Sequence, residues 1–320
     1  SSFYLLRGKW TAVARRSFVV AAAFGLASSL SVVVLGDESG YTLTDNQKMK
    51  LAAIEAEWHT EPAPAGITLF GLPDIATRTT RYAVKVPWVL GLIATRSVDK
   101  EVTGMSELVL KAQERIESGV IAYRALDVLK RNPTDRAART VFEAHRNNLG
   151  YALLLKAHIA DPGKASPALI ASTAWDVVPS VPVMFWTFRI MAGIGFLMIA
   201  LFATAFLLAS LRLHMKARWF QRIALWAIPL PWIAIELGWV TAELGRQPWA
   251  IDGVLPTFLA NSTLTPAMLW TTIIGFTALY GTLAVIEVRL ILATIAHGPV
   301  EDPLEAAPHP TDAPALAPAA

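Results

Sequence analysis

The chain has 320 residues, and its charged fraction of 17% lies below the roughly 25% of an ordinary soluble domain. With 54% hydrophobic residues and a mean hydropathy of +0.45, this composition favours a membrane protein. The net charge of +3 is not gathered into a basic stripe with interleaved aromatic residues, so nucleic acid is not an expected partner. The absence of cysteine excludes disulfides, thiolate metal sites and iron–sulfur clusters within this chain.

The first apolar run covers residues 17–35 and contains no charged side chain. At about 1.5 Å per helical residue it is long enough to cross a hydrocarbon core of about 30 Å. A short polar segment with four Lys or Arg residues precedes it, and we expect GDESGY, at residues 36–41, to end the helix.

A polar insert follows the first span. Of the 53 charged side chains in the chain, 34 lie within residues 37–176, split evenly between acidic and basic. The apolar periodicity predicts helices over residues 45–58, 104–131, 133–156 and 166–178, and short strands over 67–70 and 81–86. Thr44 or Asp45 is the expected N-cap of the first of these helices. We therefore interpret the insert, residues 37–182, as a folded, mostly helical extramembrane domain.

Three more apolar segments follow the insert, at residues 183–211, 223–243 and 266–296. Pro229 and Pro231 are expected to kink the third span. Glu287 and Arg289 are expected to form a structural pair or a cytoplasmic-edge pair in the fourth span. The tail, residues 297–320, is rich in Pro and Ala and is predicted to be disordered. The predicted fold class is an all-α membrane protein with four transmembrane helices, part of a larger helical bundle.

The positive-inside rule predicts the orientation of the chain in the bilayer. Four Lys or Arg residues precede the first span and four lie between the second and third spans, whereas the link between the third and fourth has only Arg246. Both chain ends are therefore predicted to be cytoplasmic, with the insert on the outer, periplasmic face.

The third span and the residues after it carry an unusual polar stripe. Its members are three, four and three residues apart, so on a helix they share one face: Glu236, Trp239, Glu243 and Arg246. Pro248 is expected to mark the helix end. The carboxylates can serve as proton carriers, counter-ions or metal ligands, or form a buried structural pair with the arginine. Trp239 can relay electrons or simply anchor the helix at the membrane interface.

No histidine lies inside a predicted span, so a haem held only by histidines of this chain is not expected. Met191 can supply a thioether ligand, and Arg189, two residues earlier, can pair with a haem propionate. The alternatives are a methionine that fills packing space and an arginine that reaches the interface. In the insert, Lys50 and Glu55 can bind a polar head group such as a quinol and accept its protons, or belong to a solvated helix face.

Several long motifs in the same order resemble subunit I of the cytochrome bd quinol oxidases. They are GDESGY, QKMKLAAIEAEW, PAPAGITLFGLPD, LGLIATRSVD, FRIMAG, IPLPWIAIELGW and AELGRQPWAIDGVLPT. The resemblance covers residues 1–298, and the insert resembles the long form of the family's quinol loop. It implies oxidation of ubiquinol or menaquinol at the outer membrane face and reduction of dioxygen to water at haem d.

The resemblance also implies roles for individual residues. Lys50 and Glu55 match the quinol-site lysine and glutamate. Met191 matches the ligand of the low-spin haem b iron, and Arg189 the arginine beside it. In the stripe, Glu243 matches a ligand of a high-spin haem iron, with one haem b and haem d in that pair. Arg246 matches the arginine next to that glutamate, and Trp239 a tryptophan placed between haems.

The resemblance further implies partners: subunit II, a small single-span subunit, and N-terminal helices of subunit I that would precede Ser1. Four domains follow from it: residues 1–36, a cytoplasmic segment and the first span; 37–182, the periplasmic quinol loop; 183–296, three spans with haem-site residues; and 297–320, a cytoplasmic tail. We expect such a chain to lie in a bacterial inner membrane and to be inactive without its partners.

Without the resemblance, two other interpretations stay open. One is a non-haem transporter or proton channel that uses Glu236, Glu243 and Glu287. The other is a purely structural subunit.

Overall fold

The computed structural model describes residues 1–9 and 11–298, which divide into two compact units. Among the described residues, unit 1 comprises Ser1–Leu26, Leu201–Ile228 and Thr263–Gly298, and unit 2 comprises Ala27–Ala200 and Pro229–Ser262. Two long helices, α2 (Thr11–Asn46) and α8 (Val181–Ser210), contribute residues to both units. The predicted tail, residues 297–320, lies outside the described residues from position 299 onward.

Four helical segments in the described part of the chain are long and apolar enough to cross a membrane, as predicted. They consist of α2, α8, the pair α9 (Arg218–Trp226) and α10 (Leu230–Leu244), and α11 (Pro266–His297). At most 17% of the residues in their apolar windows are buried. Their apolar side chains therefore face outward, as expected of helices that meet lipid or other helices.

The third span is interrupted where the two prolines predicted a kink. Helix α9 ends at Trp226, and α10 begins at Leu230 with Pro229 as its N-cap and Pro231 in its first turn. Proline lacks a backbone N–H and clashes with the preceding turn, so the break is a local consequence of these two residues. In the fourth span, the prediction that Glu287 and Arg289 form a structural pair is wrong as far as a direct ion pair is concerned, because none joins them within α11 (Pro266–His297). Residues two apart on a helix point away from each other.

Unit 1 packs around a small aromatic cluster. Phe18 of α2 and Phe220 of α9 are buried against small residues of α2 and α8. His214 lies parallel to Phe18 with the ring centroids 5.4 Å apart. A short helix, α1 (Ser2–Arg7), packs on α9.

Helix α2 continues beyond its predicted end, so the expectation that GDESGY ends the first helix is wrong. The helix runs to Asn46, well past that motif. Contacts from the π-helical turn Gly91–Thr95 and the residue after it stabilise the extension. The Arg96 guanidinium stacks on Tyr41 at 4.1 Å, and the Thr44 hydroxyl donates to the Ala94 carbonyl. The extension contains Gly36 and Gly40. Each glycine lowers the stability of a helix by only about 1 kcal/mol relative to alanine, and the tertiary contacts offset this loss.

The next helix, α3 (Lys48–Glu55), begins three residues later than predicted, because Asp45 belongs to α2. Its N-cap is Gln47, which makes no side-chain capping bond, so the prediction of Thr44 or Asp45 as N-cap is wrong. Ala56, with φ of 53°, ends α3 in the left-handed conformation.

The rest of the insert is a hairpin followed by helices. The predicted strands are confirmed as β1 (Ile67–Asp74) and β2 (Thr79–Val86), which pair antiparallel. The predicted helix over 104–131 is confirmed as α4 (Met105–Arg131). The predicted helix over 133–156 is instead broken into α5 (Arg136–His145), α6 (Leu149–Leu153) and 3₁₀ turns. The segment 166–178 contains α7 (Pro167–Thr173), capped by the Ser166 hydroxyl.

Close approach to α4 explains that break. At Gly119 of α4, a Cβ atom would overlap the Asn148 carbonyl oxygen, so the chain from α5 to α6 lies directly on the α4 backbone. The core beneath α4 and α6 contains Ile116, Leu154 and Leu155, and it includes Trp249 from the short hairpin of β3 (Trp249–Ile251) and β4 (Leu255–Pro256). The insert and the segment after α10 therefore share one core.

Candidate functional site

Helix α3 is buried against the outer part of α8. The run Leu51–Glu55 is buried throughout, and Ala52 and Ala53 are fully inaccessible. Their small side chains allow α3 to lie close to Val181, Met184 and Phe185 of α8. This packing positions the carboxyl end of α3, and with it Glu55, beside α8.

A buried ion pair joins the two helices. Nη2 of Arg189 lies 2.9 Å from Oε2 of Glu55, and the two side chains are 11% and 3% exposed. The same guanidinium donates to the backbone carbonyls of Ile54, Thr68 and Phe185, and it stacks on the Phe185 ring at 3.5 Å. Burial raises the pKa of Glu55 above its ordinary value, and the Arg189 charge opposes that rise.

Lys50 lies on a different face of α3. Lys50 and Glu55 are five positions apart on α3, which places their side chains about 140° apart around the helix axis. Its Nζ donates to the Ala242 carbonyl at 3.4 Å. Burial lowers the pKa of Lys50, an effect that Glu243 opposes and Arg246 reinforces. Among the contacts of the described residues, none joins Lys50 to Glu55, so the structure places these two predicted quinol-site residues in separate environments.

The carboxyl end of α10 carries the second ion pair. Arg246 contacts Oε2 of Glu243, three residues earlier, with side chains 47% and 40% exposed. This contact follows the helical spacing on which the stripe was predicted. Glu236 and Trp239, the two earlier members of the stripe, are exposed on α10. Helix α10 ends at Leu244, four residues before Pro248.

Met191 faces α10 one turn beyond a polar contact between the two helices. The hydroxyls of Thr187 and Thr241 lie 2.9 Å apart and join α8 to α10. A Cβ atom at Gly238 would lie only 3.0 Å from the Met191 sulfur. Glycine at this position therefore leaves room for the thioether, which is half-buried.

The segment after Glu243 is held by the insert. Trp249 is buried against Tyr151 of α6 with ring centroids 5.0 Å apart, and Nη1 of Arg115 donates to the Tyr151 hydroxyl at 2.9 Å. A Cβ atom at Gly150 would overlap the Gly253 carbonyl. These contacts hold the chain just beyond the Glu243–Arg246 pair against the insert.

The structure brings together a charged cluster of Glu57, Glu61 and Lys85 in unit 2 that was not predicted from the sequence. Nζ of Lys85, on β2, lies 3.0 Å from Oε1 of Glu57 and 2.8 Å from Oε2 of Glu61. Burial raises the pKa of Glu57 to about 8, and its hydrogen bond with Glu61 adds to that rise. Three carboxylates within the run IEAEWHTE were a visible signal, but Lys85 is 28 residues from Glu57 and meets it only through the hairpin.

Comparison with known proteins identifies the family. Residues 1–299 match the family model of cytochrome bd terminal oxidase subunit I. The chain is 37% identical over 300 residues to cytochrome bd-II ubiquinol oxidase subunit 1 of Escherichia coli, an alignment covering 93% of this chain and 58% of that protein. It is 26% identical over 313 residues to cytochrome bd ubiquinol oxidase subunit 1 of Bacillus subtilis, covering 98% of this chain and 55% of that one. The chain thus spans a little over half the length of these relatives, and it belongs to the cytochrome bd terminal oxidase subunit I family.

Proposed function

We propose that this chain supplies the quinol-side portion of a membrane-bound terminal oxidase that oxidises quinol and reduces dioxygen to water. The observation that carries the proposal is the buried Glu55–Arg189 ion pair, which joins the insert to α8 two residues before Met191. The ion pair thus links Glu55, a candidate proton acceptor in the insert, to α8, the helix that carries the candidate iron ligand Met191. Family membership favours this over the transporter and purely structural interpretations.

The donor groups of this chain fit haem rather than a protein-held metal ion. Within residues 1–9 and 11–298, no group of three or more His, Cys, Asp or Glu side chains could hold a metal. Met191 and Glu243 instead each offer a single donor, and each could hold a haem iron by that donor. The space left by Gly238 beside the Met191 sulfur and the 40% exposure of Glu243 agree with such a role. When bound, the low-spin and high-spin haems b and haem d supply the one-electron redox chemistry and the oxygen-binding iron.

The chain's own residues then bind the quinol and accept its protons. Glu55 is the proposed acceptor of a quinol hydroxyl proton, because a buried carboxyl with a raised pKa holds a proton more readily than an exposed one. Lys50 is proposed to contribute to the quinol site from the side of α3 that faces Glu243 and Arg246. Arg246 is proposed to stabilise negative charge next to Glu243, and Trp239 to lie on the electron path between haems.

The proposed role of Arg189 beside a haem propionate stays a prediction. In this structure its guanidinium binds Glu55 and three backbone carbonyls, so its evident task is to hold α3 against α8.

The proposed setting is the bacterial cytoplasmic membrane. Both chain ends lie on the cytoplasmic side and the insert on the outer side, in line with the distribution of Lys and Arg over the short loops. The proposed partners are subunit II, a small single-span subunit, the remaining helices of subunit I, and ubiquinol or menaquinol.

Replacing the candidate ligands tests the proposal in the assembled complex. Met191→Leu keeps an apolar side chain of similar volume, so we expect assembly to persist while the low-spin haem b absorbance is lost from a redox difference spectrum. Glu243→Ala is expected to remove high-spin haem signals. Met268→Leu, a change at an exposed methionine of α11, is the matched control and should leave the spectrum unchanged. A full low-spin signal in Met191→Leu would contradict the ligand assignment.

A further inference from the structure

The cluster of Glu57, Glu61 and Lys85 has no part in the function proposed so far. Lys85 donates to both oxygens of Glu57, at 3.0 and 3.3 Å, and to Oε2 of Glu61 at 2.8 Å. One lysine balances the charge of only one of two carboxylates. Two like charges at close range disfavour ionisation of both carboxyl groups, and this adds to the effect of burial in raising the pKa of Glu57.

The cluster begins two residues after Glu55 and leads outward. Side-chain exposure rises from 3% at Glu55 to 7% at Glu57, 20% at Glu61 and 41% at Lys85. Ala56 ends α3 in the left-handed conformation, and the carbonyl of this residue accepts a hydrogen bond from the Thr80 hydroxyl of the hairpin. The titratable groups that follow the buried carboxyl along the chain are therefore progressively more exposed toward the aqueous surface of the insert.

Electrostatic coupling extends along the whole series. The Lys85 charge lowers the pKa of Glu55 as well as that of Glu61. Arg189, on α8, interacts electrostatically with Glu57 in addition to its ion pair with Glu55. The groups that face Glu57 are thus Glu61 from its own loop, Lys85 from β2 and Arg189 from α8.

We propose that Glu57, Glu61 and Lys85 form the exit route by which protons taken up by Glu55 reach water on the outer face. This inference rests on the proposed role of Glu55 as acceptor of quinol protons. A proton leaves the Glu55 carboxyl for Glu57, directly or through water, while the Glu57 proton passes to Glu61 and then to bulk water. Each carboxyl returns to its starting state, so the net change is one proton moved outward and no other bond altered. Lys85 is a positioning residue that holds the two outer carboxyl groups together.

Several observations support a relay rather than a static ion pair. A pKa of about 8 leaves Glu57 mostly protonated yet able to exchange its proton near neutral pH, whereas the pKa of Glu61 is lowered: burial raises it, but hydrogen bonds from Glu57 and Lys85 outweigh burial. Two neighbouring acids with separated pKa values take different roles, because the weaker acid holds the proton and the stronger acid gives it up. The more exposed member is the stronger acid, which suits release to water.

The test separates proton release from electron entry in the complete, haem-loaded complex. Oxidised complex is mixed with excess ubiquinol without oxygen in weak buffer; haem absorbance reports electrons and a pH-indicator dye reports protons. In Glu57→Gln we expect proton appearance to slow about a hundredfold relative to haem reduction, the low end of what one acid–base group contributes. Glu57→Asp should restore part of the rate, because it retains a carboxyl group. Glu114→Gln, an exposed change on α4, is the control and should match the wild type.

The outcomes distinguish the relay from the function on which it rests. Proton release at the wild-type rate in both Glu57→Gln and Glu61→Gln overturns the relay. If the complex with Glu57→Gln does not assemble, Glu61→Gln provides the test. Its side chain is more exposed than that of Glu57, so the substitution should disturb packing less. Wild-type rates of haem reduction and proton release in Glu55→Gln contradict the proposed role of Glu55 instead. A wild-type complex that shows no quinol-dependent haem reduction contradicts the proposed function.

Discussion

Two carboxylate–arginine pairs in unit 2 consist of the same functional groups in different surroundings. Glu55 and Arg189 are 134 residues apart in sequence, and their side chains are 3% and 11% exposed. Glu243 and Arg246 are three residues apart, and theirs are 40% and 47% exposed. The first pair also includes hydrogen bonds from Arg189 to three backbone carbonyls.

The two pairs differ in how far each charge depends on its partner and on water. In the buried pair each charge depends on the other, because neither can be hydrated when its partner is removed. In the exposed pair water competes for both charges, so the contact adds little to stability. The carboxylate of Glu243 thus remains accessible to water, whereas that of Glu55 is held beside α8 by Arg189.

Removing Arg189 is the strongest test of this contrast. Arg189→Met leaves the Glu55 carboxylate buried without a counter-charge, so we expect the free energy of unfolding of the assembled complex to fall by about 3–5 kcal/mol. Thermal or denaturant unfolding in detergent measures the loss. The double variant Arg189→Met with Glu55→Gln should recover part of it, because the buried charge is gone. A double variant no more stable than the single one contradicts the account.

The pH dependence of stability tests burial at Glu57. Its folded pKa of about 8 exceeds the ordinary value of 4.5, so folding favours the protonated form. The stability that it contributes is fully present below pH 4.5 and is lost as the pH rises toward and through 8. Relative to Glu57→Gln, the wild type should therefore lose unfolding free energy over this interval, on the order of a few kcal/mol. Equal pH profiles for the two proteins would argue against a buried, protonated Glu57 carboxyl.

The smallest effect is expected at the exposed pair. Arg246→Gln should change the free energy of unfolding by less than about 1 kcal/mol, and added salt should reduce the difference further. Arg146→Gln is the matched control, because Arg146 forms a pair of the same spacing with Glu143 at similar exposure. Both variants should be equally stable. Only Arg246→Gln should alter the haem spectrum if the proposed role of Arg246 holds.

Local patterns were sufficient to predict much of the fold. The four spans, the strands of the hairpin and helix α4 follow from apolar runs and periodicity, and the break before α10 follows from Pro229 and Pro231. The errors arose where contacts between residues distant in sequence determine where a helix ends. Helix α2 extends to Asn46 because a distant turn packs on it, and the helix predicted over 133–156 is broken where the chain approaches Gly119.

In the candidate site, too, local contacts could be predicted from the sequence and distant ones could not. The Glu243–Arg246 contact could be predicted from helical spacing, since both residues lie on one short segment. Lys50 and Glu55 were predicted to act at one site, but their angular separation on α3 gives them different partners. The roles assigned to Met191, Trp239 and the other site residues stay predictions.

The sequence by itself determined that this is a helical membrane protein with a folded polar insert, because bilayer thickness and backbone hydrogen bonding constrain apolar segments directly. It also determined the family, through long motifs in a fixed order. Only the tertiary structure decided that Arg189 holds Glu55 and that Lys85 links Glu57 to Glu61. A buried charge is stable only where the fold brings it a partner, and a partner 28 or 134 residues away leaves no local pattern.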